Sequence, residues 1–428
     1  MRLTLLFFAF LLSHTLSAQK TYVHCGRLIT MSGGKAEVQT AMTLVVEGDK
    51  IIAVEKGYVT SAGLAEIVDL KNKTVMPGLI DCHVHFEFEQ SRTSYNDKFV
   101  LNDADVAFRA AVYAKRTLEA GFTTVRDLGG TRGVNISLRN AVNAGLTPGP
   151  RIICAGRALS VTGGHGDPTN GGHWDLFHTP GPEEGVADGP DNCRTAVRAQ
   201  VKRGADCIKV CATGGVLSLA RDGRLPHYAE DELQTIVSTA RDLGVDVAAH
   251  AHGDEGMRRA VEAGVISIEH GTFMSEATME AMIRKNTWYV PTLTAGWAVS
   301  DSAQFAKGFF PEVVQPKAMG IGPTISGTLE KAYKKGVRIA FGTDAGVFPH
   351  GKNALEFKRM SDAGMTNVDI LRSATWDAAE LLRMQGNVGS LEPGKYADFV
   401  AVDGNPLEDI RAMERIVAVM KGGVWARK

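Results

Sequence analysis

Two histidines separated by a single residue, His83 and His85, end an apolar run that starts after Pro77 and Gly78. In a β-strand alternate side chains share a face, so both imidazoles would point to the same side at the strand end. Neutral imidazole is the commonest protein ligand for zinc-like cations. The pair alone is weak support for a metal site, because two polar residues on a half-exposed strand would show the same spacing.

Other residues of ligand type occur at or near the ends of later predicted strands. They are Lys209, His250, His252, His270 and Asp344. A single histidine at a strand end is more often a hydrogen-bonded core residue than a ligand. Independent placement of such residues at five strand ends is improbable, so we predict that they form one metal centre.

Helical and strand patterns alternate between residues 78 and 385. Helices are predicted near 103–120, 134–144, 192–203, 230–243, 254–263, 276–285 and 325–335, each followed by a short apolar strand, the last at 337–341. With the opening strand this makes eight strands, which predicts an α/β fold with a (β/α)8 TIM-like barrel. An open doubly wound sheet is the alternative, although no G-x-G-x-x-G follows the first strand.

In such a barrel the C-terminal strand ends surround one cavity, where functional groups gather. A long segment at about 162–191 and a second one at 294–323 are predicted to be irregular. Loops of this length in a compact domain are usually functional or disordered.

Both ends of the chain have a different secondary-structure pattern from the middle. Residues 19–77 and 386–428 are rich in strands, and we expect them to pair into a small β-sandwich beside the barrel at 78–385. Residues 1–18 have the charged start and short apolar run of a signal peptide, which predicts a secreted or periplasmic protein. A buried N-terminal helix is the alternative.

Composition excludes some partners. The net charge is −1 and there is no long Lys/Arg run, which argues against nucleic acid and anionic membranes. No later stretch is long and apolar enough for a membrane helix. Six cysteines without a C-x-x-C pair argue against a disulfide scaffold and a zinc ribbon, and Cys207 and Cys211 fit small core residues better than a bridge.

Several motifs carry a family resemblance. The stretches 76–85 (MPGLIDCHVH), 267–271 (SIEHG), 342–344 (GTD) and 394–400 (GKYADFV) resemble the amidohydrolase superfamily of metal-dependent hydrolases. The stretches 204–210 and 249–253 are most similar to its imidazolonepropionase-like branch. That branch includes exported prolidase-like, Xaa-Arg/Lys carboxypeptidase-like and ochratoxin-degrading enzymes.

The resemblance implies a site with two divalent metal ions, commonly zinc. By position, one metal would be held by His83, His85 and Asp344, and the other by His250 and His270. The Lys209 amine would be carboxylated and bridge the two metals. A buried ammonium beside two dications is strongly disfavoured, which agrees with that modification; an unmodified lysine beside a single metal is the alternative.

The expected reaction is hydrolysis of the amide bond to a C-terminal amino acid in dipeptides or N-acyl amino acids, including ochratoxin-like amides, by attack of a metal-bridging hydroxide. Asp344 would move the proton from the water to the leaving amine. His252 has the same strand parity as His250, which favours a substrate or oxyanion contact or, equally, a structural role.

Substrate contacts follow only from the resemblance. His165 and Tyr228 match the positions that grip the substrate α-carboxylate in exopeptidase-like members. Tyr228 could instead pack at the start of the next helix. Arg221 and Arg224 could pair with a carboxylate or remain solvated in their loop.

Two other functions remain open. The same metals could open a cyclic amide or imidazolone-type ring, or the chain could be a non-catalytic metal-dependent binding protein. The latter would be expected to lack a ligand or the proton acceptor, and all of them are present. Homo-oligomers would suit the resemblance, although no sequence feature indicates one.

Overall fold

The computed structural model of the protein describes residues 20–60, 65–130, 132–173, 175–219 and 222–428. The predicted signal peptide and Arg221 lie outside the described residues. The described chain combines helices with β-sheets, which confirms the predicted α/β class.

The described residues form three sheets. Their strands are β1 (Lys20–Ile29), β2 (Val38–Glu47), β3 (Lys50–Lys56), β4 (Glu66–Pro77), β5 (Leu79–Val84), β6 (Phe122–Asp127), β7 (Arg151–Cys154), β8 (Cys207–Cys211), β9 (Asp246–Ala251), β10 (Ser267–His270), β11 (Trp288–Val290), β12 (Phe399–Val402), β13 (Ile416–Lys421) and β14 (Val424–Arg427). The middle strands β5 to β11 pair in parallel, as the alternation of strands and helices predicts.

Helices connect the parallel strands. They are α1 (Ser94–Val100), α2 (Asp103–Glu119), α3 (Val134–Asn143), α4 (Pro190–Arg203), α5 (Glu230–Asp242), α6 (Asp254–Ala263), α7 (Glu276–Lys285), α8 (Leu293–Phe305), α9 (Gln315–Ala318), α10 (Ile321–Lys335), α11 (Leu355–Asp362), α12 (Asn367–Ser373) and α13 (Trp376–Leu381). Gly204, Gly264 and Gly336 end their helices in the left-handed conformation, which glycine adopts without a side-chain penalty.

Both ends of the chain contribute to one sheet of seven strands, in the order β14-β13-β12-β4-β1-β2-β3. The β1–β4 pair is parallel and the other pairs are antiparallel. Val23, Leu44, Val75, Phe399 and Met420 form part of its core. The predicted joining of the two chain ends is confirmed, whereas the two layers of a sandwich and the domain boundaries stay predictions.

The parallel strands form a set β5-β6-β7 and a set β8-β9-β10-β11. Isolated parallel bridges continue the pairing from Leu159 to Val210 in β8 and from Tyr289 in β11 to Ile339. A further bridge joins Val84 in β5 to Ala345. The C-terminal ends of β5, β9 and β10, which carry the predicted metal ligands, therefore belong to strands with a common direction.

The eighth predicted strand, 337–341, is not a continuous strand. Its backbone alternates partners: Tyr289 N donates to Arg338 O (2.8 Å), and Cys82 N donates to Phe341 O (2.9 Å). Phe341 N donates instead to Ser373 O, at the end of α12. The segment thus lies between β11 and β5 without forming a regular ladder with either.

The prediction of irregular structure at 294–323 was wrong over α8. Its sequence, Leu293–Phe305, has few charges and no clear polar face, so helical periodicity is difficult to see. The N-terminus of α8 is held by Glu356, whose carboxylate accepts from Leu293 N and Thr294 N, both at 2.7 Å. The helix is therefore stabilised by a residue about 60 positions later in the chain.

All six cysteines lie in the described part of the chain and are buried free thiols. Cys207 and Cys211 are core residues of β8. Among the described helices, none is both long and apolar enough to cross a bilayer.

Candidate metal centre

Three of the predicted ligands converge at the end of β5. The Nε2 atoms of His83 and His85 are 3.3 Å apart. Asp344 Oδ1 lies 3.5 Å from His83 Nε2 and 3.3 Å from His85 Nε2. The three ligand atoms therefore surround one point, and His83, His85 and Asp344 could hold a cation there.

Asp81 positions Asp344 against β5. The buried carboxylate of Asp81 accepts hydrogen bonds from Thr343 N (3.0 Å), from Thr343 Oγ1 (2.6 Å) and from His83 N (3.1 Å). Asp344 itself has a φ of 60°, a conformation that is uncommon for a residue with a side chain. Such strain persists only where surrounding contacts determine the backbone, and here Asp81 supplies them.

A second group contains His250, His252 and His270, which offer ligand atoms within 4.8 Å of one another. His252 and His270 stack with ring centroids 5.0 Å apart, and His250 lies edge-on to both. His270 has a φ of 70° at the end of β10. The structure therefore places His252 beside two predicted metal ligands, and its predicted role, a substrate or oxyanion contact or a structural one, stays a prediction.

A hydrogen bond to an acceptor makes one nitrogen of each imidazole the donor, so the other nitrogen keeps its lone pair. The Nδ1 atoms of His83 and His85 donate to Glu269 Oε2 (2.9 Å) and Gly129 O (2.5 Å), because both partners can only accept. His250 Nε2 donates to Gly214 O (3.1 Å), so its Nδ1 keeps the lone pair. Ligating histidines are usually oriented by such bonds.

Threonine hydroxyls orient the two remaining histidines of the cluster. His252 Nδ1 is 2.8 Å from Thr272 Oγ1, and His270 Nδ1 is 2.8 Å from Thr292 Oγ1. Thr292 also has a positive φ, of 55°. These hydroxyls are not marked in the sequence by any ligand spacing, since each is separated from its histidine by about 20 residues.

Glu269 and Arg126 are site residues that the sequence reasoning did not assign. Glu269 is completely buried and accepts from Arg126 Nη2 (2.9 Å), from His83 Nδ1 and from Ser267 Oγ. Arg126 also donates to Cys82 O (2.8 Å). An acidic residue in a buried strand, directly before His270, was the available signal, because buried charges are almost always paired.

Lys209 lies beside the first ligand group. Its Nζ is 3.4 Å from His83 Nε2, and the side chain is buried. Burial lowers the pKa of Lys209 from its usual value, partly offset by Glu269 and Asp344. A lysine amine whose charged form is disfavoured is a suitable nucleophile for CO₂, so the site agrees with the modification that the resemblance implies.

Burial governs the other titratable groups as well. It lowers the pKa of His83, His250 and His270 well below the usual range, which keeps these imidazoles neutral. It raises the pKa of Asp344 to about 7. Neutral imidazoles can bind a cation, and a bound cation would favour the ionised form of Asp344.

The ligands line a cavity of about 310 Å³. His165 also lines it, with its ring stacked on His250 at a centroid distance of 4.4 Å. A Cβ atom at Gly215 would come within 2.3 Å of the His165 ring, so the glycine makes room for it. The buried Nδ1 of His165 has no hydrogen-bond partner among the described residues, as expected for a group that is free to bind a ligand.

The structure does not bring Tyr228 to the surface of this cavity. The residue is 1% exposed in the main hydrophobic core, and its buried hydroxyl has no hydrogen-bond partner in the described part of the chain. Arg224 is exposed and pairs with Asp222 (3.0 Å). Their predicted contacts with a substrate carboxylate stay predictions.

The donor set fits a metal centre. Asp344 Oδ1 is buried and finds no hydrogen-bond partner in the residues that the structure describes, which is costly unless a ligand satisfies it. Converging imidazole lone pairs beside it would repel one another in the absence of a cation. Histidine and carboxylate ligands suit zinc and related divalent ions.

Comparison with known proteins agrees with this chemistry. The profile of the Amidohydrolase family matches residues 74–426. This chain belongs to the amidohydrolase family. The expected membership, including the imidazolonepropionase-like branch, is confirmed by its relatives. Members are hydrolases that act on C–N bonds and generally use metal ions.

Three relatives of this amidohydrolase are informative. Ochratoxinase from Aspergillus niger is 32% identical and aligns with 96% of this chain and 88% of its own. Imidazolonepropionase from Fusobacterium nucleatum is 25% identical over 84% of both chains. The crystal structure of an Xaa-Pro dipeptidase with bound methionine in the active site is 46% identical, covers 96% of this chain and 100% of that chain, and has a TM-score of 0.92.

Proposed function

We propose that this amidohydrolase cleaves the amide bond that joins an acyl or aminoacyl group to a C-terminal amino acid. The observation that carries the proposal is the convergence of two ligand groups and Lys209 at one cavity. The relatives support the bond type: one is described as an Xaa-Pro dipeptidase and another as an ochratoxinase. Dipeptides and N-acyl amino acids are the substrates to test.

We also propose the finer architecture that this function needs. The parallel bridges at Val210, Ile339 and Ala345 support closure of the eight segments into a (β/α)8 barrel. The site would hold two divalent ions, zinc being the best candidate, with His83, His85 and Asp344 at one position and His250 and His270 at the other. Lys209 would be carboxylated and bridge them.

The bound ions would supply an activated water and polarise the substrate carbonyl. Asp344 accepts the water proton as the water oxygen bonds to the carbonyl carbon, and then delivers it to the amide nitrogen. The C–N bond breaks, leaving a carboxylate and a free amine. His252 faces the cavity and can contact the carbonyl oxygen as charge develops there, while His165 can contact the substrate.

The proposal is tested with a panel of dipeptides, N-acyl amino acids and cyclic amides, assayed on metal-replete protein by amine release or ring opening. Dipeptide cleavage that is lost on chelation and restored by zinc supports it. Ring opening without any dipeptide cleavage would favour the imidazolone-type alternative. Full activity in Asp344→Asn would show that the assigned site is not the catalyst.

Two further parts of the proposal have separate tests. Native mass spectrometry of the wild type and Lys209→Arg should show a CO₂ adduct on the wild type alone, since arginine does not form a stable carbamate. Export to the periplasm or medium is tested by N-terminal sequencing of the mature protein, which should begin at Gln19. A mature chain that retains Met1 would contradict the signal peptide.

A further inference from the structure

One side of the cavity is formed by apolar residues from two helices. We call Ala295, Gly296 and Val299 of α8, Ile321 and Ile325 of α10, and Val347 the apolar wall. The metal-ligand groups line the same cavity. A substrate whose amide bond reaches the ligands can therefore place a side chain against the wall.

The wall is closely packed and has little freedom to rearrange. A Cβ atom at Gly296 would lie 3.0 Å from Ile325 Cγ2, so α8 and α10 are in direct contact at this point. Val299 and Ile325 are 6% and 2% exposed. The carboxylate of Glu356 holds the start of α8 through two backbone N–H groups. A polar substrate group could not easily gain a partner here by movement of the wall.

The cavity has few negative charges, and none of them belongs to the apolar wall. Among the described residues that line it, the carboxylates are Asp344 and Glu184, and every Asp and Glu of the sequence lies in the described part of the chain. Glu184 already accepts from His178 Nε2 (2.7 Å) and Gly181 N (3.1 Å). Asp344 belongs to the ligand group. A cationic side chain held against the wall would thus be desolvated without a carboxylate from the wall itself.

We propose that the apolar wall makes this enzyme selective for substrates with a neutral, apolar side chain and excludes lysine and arginine side chains. The inference rests on the proposed amide hydrolysis and names its substrate class. Apolar side chains gain from contact with the wall. Burial of an unpaired ammonium or guanidinium is far more costly than loss of a few methylene contacts.

The first test compares norleucine with lysine, which share an unbranched four-carbon side chain, to which lysine adds a terminal charged amine. Ala-norleucine is compared with Ala-lysine, and norleucyl-alanine with lysyl-alanine, by kcat/KM. We expect the norleucine compound to be favoured by about 100-fold or more in at least one of the two series. Values within about threefold in both series would overturn the proposal.

The second test changes the charge of the wall. Val299→Asp should reduce the preference for norleucine over lysine by about tenfold or more, because it supplies a carboxylate partner. Val299→Asn is the matched control, with nearly the same shape and no charge, and should not favour lysine. Val368→Asp adds the same charge at an exposed position of α12 and should leave the preference unchanged. An unchanged preference in a folded Val299→Asp protein would contradict the role of the wall.

A binding measurement separates this proposal from the proposed function. Free norleucine and lysine are titrated into metal-replete wild-type protein by calorimetry. Tighter binding of norleucine supports the wall even if no dipeptide is cleaved, in which case the proposed hydrolysis alone would fail. Equal or tighter binding of lysine would overturn the wall's selectivity whether or not dipeptides are hydrolysed. Because the wild type is used, this measurement does not depend on the folding of a variant.

Discussion

Replacement of Glu269 by glutamine tests how the protein holds its first metal ligand. The carboxylate accepts from His83 Nδ1 and from Arg126 Nη2, both at 2.9 Å, and from Ser267 Oγ. Glutamine has the same shape but only one accepting oxygen. Its amide N–H₂ must therefore face either Arg126 or the imidazole, and each of these is a donor.

Two effects of different size are expected. Breaking a buried ion pair leaves the Arg126 guanidinium uncompensated and should lower the free energy of unfolding by about 3–5 kcal/mol. Loss of the group that orients a metal-bound histidine typically weakens metal affinity by about 10–100-fold, or about 1.4–2.7 kcal/mol. The loss of metal affinity is specific to the residue that orients His83, whereas the loss of stability would follow from breaking any buried ion pair.

The assay measures both quantities on the same protein. Urea unfolding of the metal-free protein gives the loss of stability, and competition with a zinc chelator gives metal affinity. Asp398→Asn is the matched control, because that buried carboxylate also pairs with an arginine, Arg151 Nη1 at 2.8 Å, but directly precedes β12 of the seven-stranded sheet. Unchanged zinc affinity in folded Glu269→Gln, or an equal loss in Asp398→Asn, would refute the orienting role.

Three other results are expected. Asp344→Asn should lower kcat by at least about 100-fold, since it removes the proton acceptor, and steady-state assays at saturating zinc measure this; near-normal turnover would exclude that role. Burial lowers the pKa of His252 to about 4, so the metal-free protein should lose stability as the pH falls from about 6.5 towards 4, by up to about 1.4 kcal/mol per pH unit for this group. Urea unfolding across that range measures the slope, which His252→Gln should reduce; an identical slope in the variant would contradict the assignment. Gly342→Ala should destabilise the fold by about 1–3 kcal/mol, because its Cβ would lie 2.3 Å from Val290 Cγ1, and equal unfolding midpoints would contradict this packing.

Many of the helices could be predicted from neighbouring residues alone. Helices predicted near 103–120 and 254–263 are observed as Asp103–Glu119 and Asp254–Ala263, because their apolar spacing and terminal signals are properties of adjacent residues. The irregular prediction over 294–323 failed at α8, which lacks a polar face and relies on Glu356 for its start. The periodicity of apolar residues cannot reveal a helix, such as α8, that is surrounded by apolar residues on most sides.

The sequence by itself determined the ligand types, the strand ends at which they occur and the direction in which His83 and His85 point. Only the tertiary structure decided which residues form the hydrogen bonds that orient those ligand side chains. Arg126 and Glu269 are 143 positions apart and meet because their strands face one interior. The apolar wall likewise depends on how α8 packs against α10. The spacing of residues within a helix or strand predicts which side chains share a face. The packing of distant segments decides which residues that face contacts.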